Sequence, residues 1–175
     1  MKDILAGLFN QEISIGPKSF LIEAGETSDR FYYLKKGIVR FWHMSNDKET
    51  TTQLLFEGKS FTSIESFLFN EPSIFNIETI DACELTYITK ADFDAFLTAH
   101  ADLKDAVYHK IIHNVVLNSR RIYSLMTTKP EERYCELVKT YPELISKVPQ
   151  HIIASYLGIT TVSLSRIKSR TTKDE

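Results

Sequence analysis

The sequence predicts an α+β chain: an antiparallel β-roll or sandwich in the first half, then one long helix, then a pair of short helices near the end. Three observations predict it. From Ser19 to Tyr87, short β-type runs alternate with turn signals: SFLIEAGE, FYYLKKGIVRFWHM, TTQLLFEG, IFNIETI and CELTYI. From Ala101 to about Thr127 the apolar residues return at helical spacing. Finally, Pro149 to Lys168, PQHIIASYLGITTVSLSRIK, divides at Gly158 into two short segments, each with one apolar face.

Taken in order, residues 1 to about 17 read as a weak helix followed by a turn at Gly16-Pro17. The β half is punctuated by Gly25-Glu26, Lys36-Gly37, Asn46-Asp47-Lys48, Gly58 and Asn70-Glu71-Pro72, and the third of these reads as a hairpin tip. Phe31, Tyr33, Ile38, Val39, Phe41 and Trp42 supply a core, each large side chain contributing about 1.5–3 kcal/mol when fully buried. After Lys90, ADFDAFLTAH starts a helix.

On the long helix, Val107, Ile111, Val115, Asn118, Ile122 and Leu125 mark one stripe, and Tyr108, Ile112, Val116 and Tyr123 a second beside it. Two such faces need two partners: the roll and the same helix of a second copy, or, in the other reading, the interior of a monomer. Arg120 and Arg121 are expected in surface or interface ion pairs. Thr128 as N-cap, Pro130 in the first turn and Glu131 three residues after Thr128 predict a capping box that opens the next helix.

In the last pair, Ile152, Ile153, Tyr156 and Leu157 form the first apolar face, and Gly158 can leave the helix through positive φ. Thr160 or Thr161 can cap the second helix, Leu164 and Ile167 bury its inner side, and Thr161, Val162, Ser163, Ser165 and Arg166 face outward. On spacing alone the pair is either a DNA reader or an ordinary helical hairpin.

Composition narrows the classes. The 175 residues allow one sizeable core plus a small module, and 43% hydrophobic with 25% charged residues is globular. No apolar run approaches the ~20 residues of a membrane helix, and MKDILAGLFNQE carries Asp3 and Glu12 without a cleavage site, so a cytoplasmic chain is expected. The net charge of −2 does not announce a nucleic-acid binder. Its distribution is uneven, however: Leu144 to Lys173 holds Lys147, Arg166, Lys168, Arg170 and Lys173 and no carboxylate, while Glu131, Glu132, Glu136 and Glu143 lie just before.

Other chemistry lacks its parts. Cys83 and Cys135 are far apart, without CxxC spacing, and have no histidine nearby in sequence. His109 and His113 stand at i, i+4 without HExxH, with only His100 as a third candidate, and His43 is the only histidine before His100, so the strands cannot supply a metal cupin's cluster. Ser63 and Ser66 lack a GxSxG frame, and there is no phosphate-binding glycine loop. Neither an enzyme nor a bound metal or other cofactor is expected.

IASYLGITTVSLSR resembles the helix-turn-helix of the Crp/Fnr family of bacterial transcription regulators, especially its short Bacteroidetes-type members. AGETSDRFYYLKKGIVRFWH is similar to the family's effector-domain signature, with Gly25, Glu26, Asp29, Phe31, Tyr32, Gly37 and Arg40 matching in order. The resemblance implies an antiparallel β jelly-roll, cyclic-nucleotide-binding-like, over residues 1–98, a dimerisation helix over 99–127, and a helix-turn-helix domain over 128–175. The segment after Arg170 is too short for the β-wing of longer members, and the cysteine count leaves no room for the four-cysteine cluster of oxygen-sensing relatives.

What the resemblance implies about function is a homodimeric regulator on a two-fold symmetric operator in double-stranded DNA. It also admits RNA polymerase and an unknown small-molecule effector as further partners. The alternative is a ligand-binding sensor or interaction protein that has lost specific DNA binding. Carried over by position, the DNA-binding residues are Thr161, Val162, Ser163, Ser165, Arg166, Lys168 and Arg170. Arg166 matches the recognition arginine, and Val162 stands where family members usually place Glu.

Counted back from Ala82-Cys83-Glu84-Leu85, the cassette positions that carry Gly-Glu and a phosphate-binding Arg in cyclic-nucleotide binders fall on Thr62-Ser63 and Ser73. A lone hydroxyl is a weak substitute for a guanidinium under a buried phosphate, so little or no response to cyclic AMP is expected. Phe61, Ile64, Glu65, Phe67 and Phe75 complete the candidate effector pocket, which is either repurposed or filled by its own side chains.

Overall fold

The computed structural model describes residues 8–171, so Lys173 and residues 1–7 of the expected first helix lie outside it. Among the described residues, eight strands form two four-stranded antiparallel sheets. One has the order β1 (Gln11–Ile15), β8 (Cys83–Thr89), β3 (Arg30–Lys36), β6 (Ser60–Phe61). The other runs β2 (Phe20–Ile22), β7 (Asn76–Thr79), β4 (Val39–Ser45), β5 (Lys48–Leu55).

β1 corrects the expectation of a weak helix leading to the turn at Gly16-Pro17. Ile13 and Ile15 alternate toward the core, and β8 supplies the partner edge from Gln11↔Tyr87 to Ile15↔Cys83, a long-range contact that local periodicity does not show. The β4–β5 hairpin turns as expected: Ser45 pairs with Lys48, and Asn46 and Asp47 both take positive φ, 50° and 56°, the two-residue loop whose twist matches the strands.

Between the sheets lie Ile22, Tyr32, Leu34, Val39, Phe41, Phe61, Ile77, Cys83 and Leu85. The inward phase of β3 therefore belongs to Tyr32 and Leu34, while Phe31 and Tyr33 of the expected core are only half-buried. Phe31 turns to the opposite face and joins Leu8, Phe67, Ile88, Phe93 and Val107 in a second cluster. Burial pushes the Cys83 thiol up to about 11, an inert packing group.

On the outer side of the second sheet, Arg40 is buried in a polar network. Glu78 accepts from its Nε at 2.9 Å, from its Nη2 at 2.7 Å and from Trp42 Nε1 at 2.9 Å, and Glu49 accepts from Nη1 at 2.8 Å.

The helices then follow. α1 (Ile64–Phe69), unforeseen, ends on Asn70 in the left-handed region; α2 (Lys90–Ala99) is capped by Thr89, whose hydroxyl accepts from Asp92 N at 3.2 Å. A 3₁₀ turn leads into α3 (Lys104–Thr127). Val107 is fully buried and Ile111 packs beside it; further along, the positions turned toward the protein are Asn114, Arg121 and Ser124. Val115, Asn118, Ile122 and Leu125 of the first stripe are exposed, as are Tyr108, Ile112, Val116 and Tyr123 of the second. Among the described residues no helix is long and apolar enough to cross a membrane.

α4 (Pro130–Thr140) has Lys129 as its N-cap with no side-chain bond, and Thr128 ends α3 instead, so the expected capping box does not form. α5 (Leu144–Lys147), α6 (Gln150–Tyr156) and α7 (Thr161–Thr171) complete the chain. Their core of Tyr134, Leu137, Leu144, Val148, Ile152, Ile153, Leu157, Leu164 and Ile167 is continuous with Ile38, Leu54 and Phe56 of the roll, where Phe56 and Tyr141 stack at 3.8 Å. The terminal helices are seated on the second sheet.

Candidate nucleic-acid interface and effector cleft

The turn between α6 and α7 follows from one glycine and one threonine. Gly158 at φ +68° lets its N–H donate to Ser155 O at 3.0 Å and the next N–H, of Ile159, to Ala154 O at 3.0 Å, the paired bonds of a glycine-terminated helix. Thr160, rather than Thr161, then caps α7, its hydroxyl accepting from Ser163 N at 3.1 Å. Leu164 and Ile167 are buried, which fixes the rotation of α7.

That rotation leaves Thr161, Val162, Ser165, Arg166 and Arg170 exposed on one side, with Ser163 and Lys168 half-buried at its margins; Val162 is 59% exposed. Ser163 Oγ lies 3.0 Å from Thr160 Oγ1, and Arg170 lies 3.7 Å from Glu131 of α4. Arg166 makes no hydrogen bond or ion pair among the described residues, so its planar set of donors faces outward. All seven residues expected to touch DNA thus share one helix face or its edge.

The candidate effector residues separate instead. A cleft of about 640 Å³ opens between β5, β6, α3 and α4–α6, and of the expected set only Phe61, Thr62 and Ile64 line it. Ser63, Glu65, Phe67, Ser73 and Phe75 do not. Phe75 lies against Phe41, and Phe67 is in the outer cluster with Phe31 and Phe93. Ser73 is buried with its hydroxyl satisfied locally, donating to Phe75 O at 2.8 Å and accepting from Phe75 N at 3.2 Å. Thr62 donates to Arg30 O at 2.7 Å.

The cleft's cations come from elsewhere: Lys59, Arg120, Arg121 and Arg133. Ser60 Oγ and Arg133 Nε are buried there without a hydrogen-bond partner among the described residues. Arg121 corrects the expectation of a surface or interface ion pair. Its Nε donates to Thr52 O at 2.9 Å and its Nη2 to Tyr156 O at 2.7 Å, and its guanidinium lies 3.6 Å from the Tyr156 ring centre. Burial holds this group below the ordinary arginine value; Arg133 pushes the same way and Tyr156 opposes.

Arg133 bonds to Leu157 O at 2.8 Å and to Thr128 O. The sequence signal for Arg121 is its position, seven residues after Asn114 on the inner line of α3, where hydropathy alone suggests no role. His109 and His113 are exposed, and no cluster of metal ligands exists among the described residues.

Residues 12–100 match the cyclic nucleotide-binding domain family. The chain belongs to that family. No curated protein matches the chain. Among solved structures, FixK2 from Bradyrhizobium japonicum superposes with a TM-score of 0.78 at 15% identity, covering 94% of this chain and 85% of that one. The c-di-GMP-responsive global regulator CLP from Xanthomonas campestris gives 0.70 at 15% identity, with coverage of 99% and 91%. The catabolite activator protein of Thermus thermophilus gives 0.59 at 18% identity, with coverage of 98% and 82%. The β sandwich, the long helix and the C-terminal helices together are the Crp/Fnr fold. The family match stops at residue 100, but the fold likeness continues through α7.

Proposed function

We propose that this cyclic nucleotide-binding domain protein is a homodimeric transcription regulator that reads double-stranded DNA with α7. The observation that carries the reading is the outward face of α7, where an exposed Arg166, unpaired among the described residues, stands among small polar side chains on the side opposite a fully buried Leu164. A guanidinium so placed can donate two parallel bonds to guanine O6 and N7 in the major groove. Thr161, Ser163 and Ser165 can contact bases or phosphates near the helix start, and Lys168 and Arg170 add phosphate attraction. Val162 can pack on a thymine methyl but cannot accept from cytosine N4.

The partner in dimerisation is a second α3. Val115, Ile122 and Tyr123 are 58%, 60% and 69% exposed, and a two-fold axis along α3 would cover them. The effector is a separate matter. CLP is c-di-GMP-responsive, so this fold does not dictate one ligand. In this chain the cassette positions hold the hydroxyls of Thr62, Ser63 and Ser73 in place of a guanidinium, and those of Thr62 and Ser73 already bond backbone carbonyls, so cyclic AMP binds weakly or not at all. The cleft with its orphaned Ser60 and Arg133 atoms favours an effector held by α3 and α4 instead.

The direct test is a salt-dependent gel shift against a selected operator, comparing wild type with Arg166→Ala. The variant is expected to lose about 1–3 kcal/mol on the operator and to keep its nonspecific, phosphate-driven affinity. Equal operator affinity for both proteins would refute the reading.

A further inference from the structure

Three kinds of contact join the terminal helices to the roll. Apolar packing sets Leu54 and Phe56 against Tyr141 and its neighbours. Ser155 Oγ accepts from Thr51 N at 2.8 Å and donates to Glu49 O at 3.2 Å. The third is Arg121, which extends from α3, bonds Thr52 of β5 and bonds Tyr156 at the end of α6 while stacking on the Tyr156 ring. Apolar contact is non-directional and tolerates sliding. The guanidinium bonds do not: both carbonyls and the ring must keep their places for the half-buried charge to stay satisfied. Among the described residues its hydrogen-bond acceptors are backbone carbonyls, one of them a C-terminal carbonyl of α6.

We propose that Arg121 is a positioning residue for DNA reading: it fixes α6–α7 in one orientation relative to the roll and α3, and so sets the spacing of the two recognition helices in the dimer. This rests on the function proposed above. A lysine cannot replace it, because one ammonium on a flexible stem cannot hold two carbonyls and stack on the ring together. Arg133 ties α4 to the end of α3 and to Leu157 after α6, and among the described residues its hydrogen bonds go to no strand, whereas Arg121 bonds a strand and the end of α6 at once.

The structure supplies a reporter that needs no DNA. The Thr51 N–H has Ser155 Oγ as its acceptor, so its hydrogen exchange follows the seating of α6 on β5, whereas the Leu34 N–H, bonded to Lys59 O, follows the roll itself. Exchange is measured by NMR on the full chain for wild type, Arg121→Lys and Arg121→Ala. In both variants Thr51 should exchange about tenfold faster or more, the factor expected from losing a hydrogen bond to a charged group, with Leu34 unchanged. Arg121→Lys carries the test alone if Arg121→Ala fails to fold. Unchanged Thr51 exchange overturns the proposal.

The second readout is binding to operators whose half-sites are moved apart by one base pair. Wild type should lose affinity sharply and Arg121→Lys should discriminate less. A spacing preference as narrow in the variant as in wild type overturns the positioning role. If wild type binds no operator while Thr51 still responds, the latch between α3, β5 and α6 stands and the DNA-reading function falls, and with it the role in spacing.

Discussion

The segment Phe61 to Phe75 and the pair α6–α7 were both marked in the sequence by resemblance to functional motifs, yet only the pair brings its marked residues together. On α7 a single helix of 11 residues, rotated by the burial of Leu164 and Ile167, decides where every side chain points. In the cassette segment, α1 intervenes and the marked residues divide among the sandwich core, the outer aromatic cluster and the cleft. A site built on one helix inherits its geometry from local periodicity. One built from a loop and several strands inherits it from long-range packing, and matching positions alone do not assemble it.

The sharpest way to strain this contrast is to break the roll without touching α7. Glu78→Ala removes the carboxylate that accepts three bonds from Arg40 and Trp42, leaving a buried guanidinium with Glu49 alone, and should cost about 3 kcal/mol of stability. Urea unfolding measures it; a loss below about 1 kcal/mol would mean that the network is not structural. A smaller effect is expected at Val162. Val162→Glu should leave stability unchanged and shift base preference toward cytosine by about 1 kcal/mol or more, read by selection from randomised operators. Identical preferences for both proteins would show that residue 162 does not face the bases. The smallest effect is expected at the cassette: cyclic AMP should produce neither measurable heat nor tighter operator binding. Saturable micromolar binding would show that another group captures the phosphate.

Much of the fold was legible because its signals are local. The hairpin at Asn46-Asp47, the break at Gly158 and the cap at Thr160 each depend on residues adjacent in sequence. β1 was not legible, since its partner β8 lies about seventy residues away. Thr128 does not open α4 because the end of α3 and the start of α4 compete for the same residues, and Lys129 takes the cap. Of the candidate site, the α7 face could be read directly. Arg121 could not, because its role depends on two carbonyls that only the folded chain places beside it.

In the proposed dimer, two copies of α7 read symmetric half-sites through Arg166. Selection of bound fragments from genomic DNA with the purified full chain tests it most directly. The expected result is a two-fold symmetric motif with a guanine in each half and half-site centres about 34 Å apart, one helical turn, and its loss in Arg166→Ala. No enriched sequence, or a motif that Arg166→Ala selects as well as wild type, would contradict it.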